Sequence, residues 1–412
     1  MALTDLSALW RRNLSPPDAA IEDRREELRL SALMASVYAI VGVQLPFFPV
    51  WLGARGLSAT EIAAILATPP ALRIVSTLLS TRLGDRSGRH GAFLLGHLFA
   101  VALVFAGMRL LSGFWPLLAA VGLLAFAQGP INSLADGMIL GAIRRRSAEG
   151  RGTLHYSFVR GWGSFAILAV MLAGGPVAAV LPSDALIFLL AGVAALAALG
   201  ALAAVNGLRA VQAPSQQSRA EALARPGLVV LVICAAALIL ASHALSFGFA
   251  ALHWKANGFS ETFLSLAWVA AVATEVGFFL LAGRWFGGER KAALHLTVAG
   301  AAAVLRWLIM ASDPAAAGIL ATQALHGLTC AAAQLGPAYL LAKLAGPSRL
   351  AQAQGWLAVA YSAIQALTTL ACGPVYALYG ERSYFAMAAM GAAGLGLALV
   401  VMRLVEAPRR LA

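Results

Sequence analysis

Twelve long apolar stretches recur along this chain of 412 residues, and they leave it very few folds. Each holds roughly 20 residues, enough for a helix to cross about 30 Å of hydrocarbon. A large soluble helical protein would need polar helix faces, which these stretches lack. It would also carry about twice the charged share found here, which is 12% against 60% hydrophobic. The sequence therefore predicts an all-α polytopic membrane protein.

The stretches fall near 30–51, 59–81, 91–110, 114–143, 153–174 and 183–205, then near 227–252, 259–286, 292–311, 314–342, 351–376 and 382–404. Between the two sets, Gln212, Pro214, Ser215, Gln216, Gln217 and Ser218 mark a polar linker. The expected organisation is a tail at 1–29, a six-helix bundle at 30–205, a linker at 206–226, a second bundle at 227–404 and a tail at 405–412. No cleavable signal peptide is visible, so the first spanning helix is expected to serve as an uncleaved signal anchor. Trp51 before Arg55-Gly56-Leu57-Ser58, and Trp254 before Asn257-Gly258-Phe259-Ser260, close the first helix of each set. Such echoes are expected of carriers whose site lies between two repeats.

Basic residues orient the bundle. With the N-terminus inside, 23 of the 30 Lys and Arg fall in inner segments, and only Arg55, Arg109, Lys255 and Arg382 fall in outer ones. This asymmetry is the positive-inside rule, and it places both termini in the cytoplasm. The net charge of +12 is then a topology signal, and no nucleic-acid partner is expected.

The remaining three arginines lie within spans, where a charge costs several kcal/mol and marks function. The buried candidates are Arg73, Asp136 and Arg160 in the first half, and Glu275, Arg306 and His326 in the second. Arg73, Asp136 and Arg160 sit on the order of 10 Å deep by helix rise. Their excess positive charge favours a substrate carboxylate as the missing partner, with Asp136 as counter-charge. Trp162 is a candidate groove-lining aromatic, and His243 a weaker substrate contact. Glu275, Arg306 and His326 fall near the midplane. A Glu–Arg contact that forms and breaks there would make a proton switch, with His326 as relay.

Chemistry of other kinds is missing from the sequence. Cys234, Cys330 and Cys372 stand singly without metal-ligand spacing. No phosphate-binding Gly loop, His-Glu-x-x-His or nucleophile elbow occurs, so no enzyme, metal or cofactor is expected. A proton gradient would supply the energy.

Between the second and third spans runs Arg82-Leu83-Gly84-Asp85-Arg86-Ser87-Gly88-Arg89-His90. It resembles the loop signature of the major facilitator superfamily, Gly-x-Leu-x-Asp-Arg-x-Gly-Arg-Arg. Asp85, Arg86, Gly88 and Arg89 match and are expected to gate the inner face, with Gly88 allowing the tight turn. Further pieces resemble the phenylpropionate permease branch of that superfamily. They include Leu45-Pro46-Phe47-Phe48, Ala71-Leu72-Arg73, Leu134-Ala135-Asp136, Val159-Arg160-Gly161-Trp162-Gly163-Ser164 and Ser242-His243-Ala244. Thr274-Glu275-Val276, Leu305-Arg306-Trp307 and Leu325-His326-Gly327 continue the same order.

The resemblance implies twelve helices in two pseudo-symmetric halves and a proton symporter importing an aromatic carboxylate such as 3-phenylpropionate. It places a Glu, Arg and His, as in lactose permease relatives, at Glu275, Arg306 and His326. The chain departs from those relatives at Thr329, where a second carboxylate is expected. It departs from the phenylpropionate branch at Gln334, Ser157 and Phe158. A sugar or nucleoside symporter, a drug/proton antiporter, and a polytopic membrane enzyme or sensor are the other readings. The expected setting is the cell inner membrane, as a monomer among lipids, with a small solute and protons as partners.

Overall fold

Apolar runs without water must satisfy every backbone group internally, and the chain does so as helix almost throughout. The structure, a computed structural model, describes residues 17–151, 154–206, 208, 225–282 and 288–406. The first half contains α1 (Pro17–Ala54), α2 (Ala59–Ala67), α3 (Pro69–Ser87), α4 (His90–Met108), α5 (Phe114–Gln128), α6 (Ile131–Ala148), α7 (Tyr156–Ala179) and α8 (Leu186–Val205). The second contains α9 (Pro226–Ala241), α10 (Ala251–Ala256), α11 (Glu261–Ala282), α12 (Glu289–Met310), α13 (Ala316–Ala324), α14 (Ala332–Tyr379) and α15 (Tyr384–Glu406). No strand occurs among the described residues. Most of the expected linker, and residues 283–287, lie outside them.

Eleven stretches are long and apolar enough to cross a membrane, and the last, Gln352–Glu406, has 55 residues. That would be about 80 Å of straight helix, far more than one crossing uses. A turn at Gly380–Ser383 divides it, with Gly380 at φ 55°, so the described residues hold twelve stretches of crossing length.

Several expected boundaries move. α1 begins at Pro17 rather than near residue 30, because acids on its first turns meet arginines at the end of α6 and just beyond it. Glu26 pairs with Arg145 and, at 2.8 Å, with Arg146, while Asp23 pairs with Arg151. The loop expected at 343–349 is helical in backbone. Even so, Gln354 Nε2 donates to Ala338 O at 3.3 Å, although 16 residues of straight helix cover about 24 Å. The chain therefore reverses there, with helical turns doing the work of a loop.

Four expected single spans are interrupted. Pro69 follows Thr68 at the α2–α3 break, and Pro130 sits between α5 and α6. A proline lacks the N–H that would continue the ladder, and its ring crowds the preceding turn. The other two breaks are π-helical turns, at Ser246–Ala250 and Gly327–Ala331. Such turns widen a helix and recur at functional sites. Each directly follows a stretch bearing an intramembrane histidine, His243 or His326.

Small residues let the helices approach closely. A Cβ on Gly327 would lie 2.7 Å from the Thr274 carbonyl carbon on α11, while the Gly327 N–H donates to Thr274 Oγ1 at 3.2 Å. Gly327→Ala should therefore push α11 from the π-turn. The expected loss is about 1–3 kcal/mol, as overpacking usually gives, read as a lower melting temperature in detergent. An unchanged melting temperature would contradict the close packing.

The two halves meet at one end. The near end is where α1 begins and α15 ends, and the far end lies opposite. At the far end, Gly373 of α14 would place a Cβ 2.8 Å from Thr60 Cα of α2. A Cβ on Gly175 of α7 would sit 2.7 Å from Ser265 Cβ of α11, and one on Gly53 of α1 would sit 2.6 Å from Leu252 of α10. Three helix pairs thus close the far end between the halves.

Candidate functional site

Polar side chains in apolar helices converge where the broken helices cross. Three adjoining cavities surround Phe247, in the π-turn between α9 and α10. The central one, ≈ 370 Å³, takes Arg160, Ser164 and Ile167 from α7 on one side. On the other side stand Glu275 of α11, His326 and Cys330 near the second π-turn, and Gln334 of α14. Trp268, Phe279 and Phe247 complete an aromatic wall. Charges that are far apart in sequence, one set from each half, therefore face a common space.

Arg160 is held by a ring rather than by an acid. Its Cζ lies 3.9 Å from the Tyr38 ring centroid, over the ring face. Gly163 makes room for this stack, since a Cβ there would come 2.7 Å from Tyr38 Cδ2. The spacing 160, 164, 167 puts three side chains on one helix face. Trp162 falls on another face, 40% exposed and edge-on to Phe165 at 5.6 Å. Contrary to the sequence expectation, it lines none of the three cavities around Phe247, because two residues along a helix turn a side chain through about 200° from Arg160.

Asp136 lies near Arg160 without touching it. It accepts a hydrogen bond from Tyr156 Oη at 3.0 Å and forms no ion pair with Arg160 or Arg73. Arg73 lines a second cavity, ≈ 260 Å³, with Gln44, Phe48, Tyr361 and Gln365. Its Nη2 donates to Gln128 Oε1 at 2.8 Å, and Gln128 Nε2 donates to Gln44 Oε1 at 2.6 Å. The two arginines thus line different cavities, and neither has a carboxylate partner among the described residues.

The second half forms a largely buried polar network. Arg306, fully buried, is 2.8 Å from His326 Nδ1 and donates to Gln323 Oε1 at 2.8 Å and Thr329 Oγ1 at 3.2 Å. A guanidinium can only donate, so His326 Nδ1 accepts and the ring proton sits on Nε2. That nitrogen is 3.7 Å from Glu275 Oε2. Gln334 Nε2 donates to Glu275 Oε1 at 3.0 Å. The expected direct Glu275–Arg306 contact is absent, and His326 stands between them. His243 Nε2 pairs with Thr329 Oγ1 at 2.9 Å, and its ring meets Phe247 and Trp307.

Thr329 and Gln334, the sequence departures, are thus working members of the network. Gln323, Tyr38, Tyr156, Gln44, Gln128 and Tyr361 were not singled out from the sequence. Their signal was there, since an uncharged polar residue inside an apolar span also needs a partner. The loop signature lies away from these three cavities, but its Ser87 and Arg89 line a separate one, ≈ 510 Å³, with Phe93 and His97. Gly88 caps α3 in the left-handed region at φ 67°, the tight turn expected of it. Arg86 and Arg89 are exposed, and the Asp85 side chain lies outside the described residues.

The sequence profile of the MFS_1 like family matches residues 28–387. A probable 3-phenylpropionic acid transporter of Escherichia coli (strain K12) is 27% identical over 359 residues, covering 84% of this chain and 90% of that protein. Among solved structures, the nucleoside transporter NupG superposes with a TM-score of 0.74 at 15% identity, over 92% of this chain and 99% of that one. A bacterial homolog of the human lysosomal transporter Spinster, inward-facing and unoccupied, gives 0.67 at 12% identity, over 95% and 98%. At these identities the two structures speak for the fold.

Proposed function

The chain belongs to the MFS_1 like family and is a multi-pass membrane transporter of the major facilitator superfamily, not an enzyme, and on that premise we propose that it imports an aromatic carboxylate together with protons. One observation carries this reading. Arg160 and the Glu275–His326–Gln334 group face each other across a single aromatic-walled cavity. Its ≈ 370 Å³ falls within the roughly 300–1,000 Å³ of small-molecule sites.

In this reading a solute carboxylate pairs with the free edge of Arg160, whose face is occupied by Tyr38. Its ring lies against Phe247, Trp268 and Phe279. The proton travels on Glu275. While Glu275 is ionised, the His326 Nε2–H points at it, with Arg306 fixing the tautomer from behind. Protonation removes the charge that holds His326, and the relay can then loosen as the halves rock. Release of both passengers resets it. The name of the Escherichia coli relative, at 27% identity, supports a 3-phenylpropionate-like solute.

The far end, closed between the halves, is on this reading the outer face, and the cavities open inward. The setting is the inner membrane with both termini cytoplasmic, following the basic residues. Reporter fusions at residue 215 and at the C-terminus should both read as cytoplasmic, and a periplasmic signal from either would reverse the orientation.

The function itself is tested by uptake into proteoliposomes, acidic outside, of labelled aromatic acids, sugars and nucleosides. Aromatic acids should accumulate and neutral solutes should not. Accumulation of a nucleoside or sugar alone would replace the carboxylate reading.

A further inference from the structure

We propose that the far end carries a binding site for one divalent transition-metal ion of the zinc class, formed by His253, Asp313 and Glu381. Three separate segments bring these residues together: α10, the turn between α12 and α13, and the turn between α14 and α15. His253 Nε2 lies 3.0 Å from Asp313 Oδ1 and 3.2 Å from Glu381 Oε2. All three ligand atoms lie within 4.8 Å of one another. Two ligands about 2.0–2.1 Å from a tetrahedral ion stand about 3.3 Å apart, so both histidine distances fit a shared ion.

The observation that points to a ligand is Glu381. The residue is only 6% exposed, and among the described residues its two buried carboxylate oxygens have no hydrogen-bond donor beyond the 3.2 Å approach of His253 Nε2 to Oε2. A buried carboxylate left in that state is expensive, and an adjacent cation removes the deficit. The neighbouring imidazole cannot do so alone, since one Nε2–H faces two carboxylates.

The surroundings suit a metal ligand. His253 Nδ1 is 2.9 Å from Tyr376 Oη, a contact behind the ring that leaves Nε2 to the ion. The Asn257 amide nitrogen lies 2.9 Å from Nε2. Turned over, that amide offers Oδ1 as a further ligand. Asp313 is 56% exposed at its side chain and gives the ion a way in. An imidazole among the donors favours zinc over magnesium or calcium, which prefer all-oxygen sites.

The place gives the ion a consequence. Leu252, beside His253, packs against Gly53 of the first half at the closed far end. An ion on His253 would tie α10 to two turns of the second half, next to the seam that must part when the carrier opens.

The test is Zn2+ titration of the purified full-length protein by calorimetry, with Co2+ absorption as a reporter of coordination. We expect one ion per chain and a raised melting temperature. His253→Gln and Glu381→Gln should each weaken binding at least about tenfold, and Tyr376→Phe by about tenfold through the contact behind the ring. The last variant keeps every ligand, so it reads the site even if the others fold poorly. Glu275→Gln should leave binding intact, because it disables the separate Glu275–His326–Cys330 group. The proposal is overturned by no binding, which would make the cluster a plain His253–carboxylate ion pair. Binding unchanged in the His253 and Glu381 variants, or lost in Glu275→Gln instead, overturns it equally.

Discussion

Arg160→Ala should severely weaken carboxylate uptake while the protein still reaches the membrane. The side chain stacks on Tyr38 and has no carboxylate partner among the described residues, so its charge is available to a solute. A hydrogen bond to a charged group is worth about 1.5–3 kcal/mol. Its loss should raise the KM roughly ten- to hundredfold. Arg160→Lys should restore part of the activity, because it keeps the charge but loses the planar fork and the stack on the ring. The measurement is initial uptake rate against solute concentration in proteoliposomes, with carrier content checked by blotting. Undiminished uptake by Arg160→Ala would remove the anion site from this cavity.

Glu275→Gln separates coupling from structure. A glutamine imitates the protonated acid but cannot release its proton. Its single amide oxygen can still accept from Gln334 Nε2, while the contact of His326 Nε2 with the second carboxylate oxygen is given up. Loaded carriers should continue to exchange solute across the membrane. Accumulation driven by a pH gradient should fail. One unit of gradient supplies about 1.4 kcal/mol per proton, which supports about tenfold accumulation for one proton per solute. The variant should fall to about equal concentrations inside and outside. A variant that still accumulates solute would move the proton site elsewhere, and Asp136, hydrogen-bonded to Tyr156, would be the next acid to test.

The residues named from the sequence divide in an instructive way. Arg160, Glu275 and His326 do line one cavity, Arg306 stands directly behind it, and His243 lines the adjoining one. Their cost in hydrocarbon is a property of each side chain, and it marked them without any partner in view. Asp136 was named on the same footing and bonds Tyr156 outside the three cavities, while Trp162, named as a groove-lining aromatic, lies on another helix face against Phe165. Depth along a helix is legible from sequence; rotation about its axis is not, when the apolar surround is nearly uniform. Thr329 and Gln334 looked like losses beside the resembling families. In the structure each completes a hydrogen bond to a charged neighbour.

By itself the sequence determined the class of solvent, the number of crossings, the division into halves and the identity of the costly charges. These follow from local quantities: the length of an apolar run, the positions of basic residues, and the price of burying a charge. Tertiary structure alone decided that His326 separates Glu275 from Arg306, that a tyrosine ring holds Arg160, and that π-turns follow both histidines. It also gathered His253, Asp313 and Glu381, which no sequence spacing connects. Such pairings depend on how helices rotate and cross over long separations, and a change of one residue turns a side chain by about 100°. The aromatic and aliphatic residues of the cavity walls do not differ in type from lipid-facing ones, so only packing could choose between them.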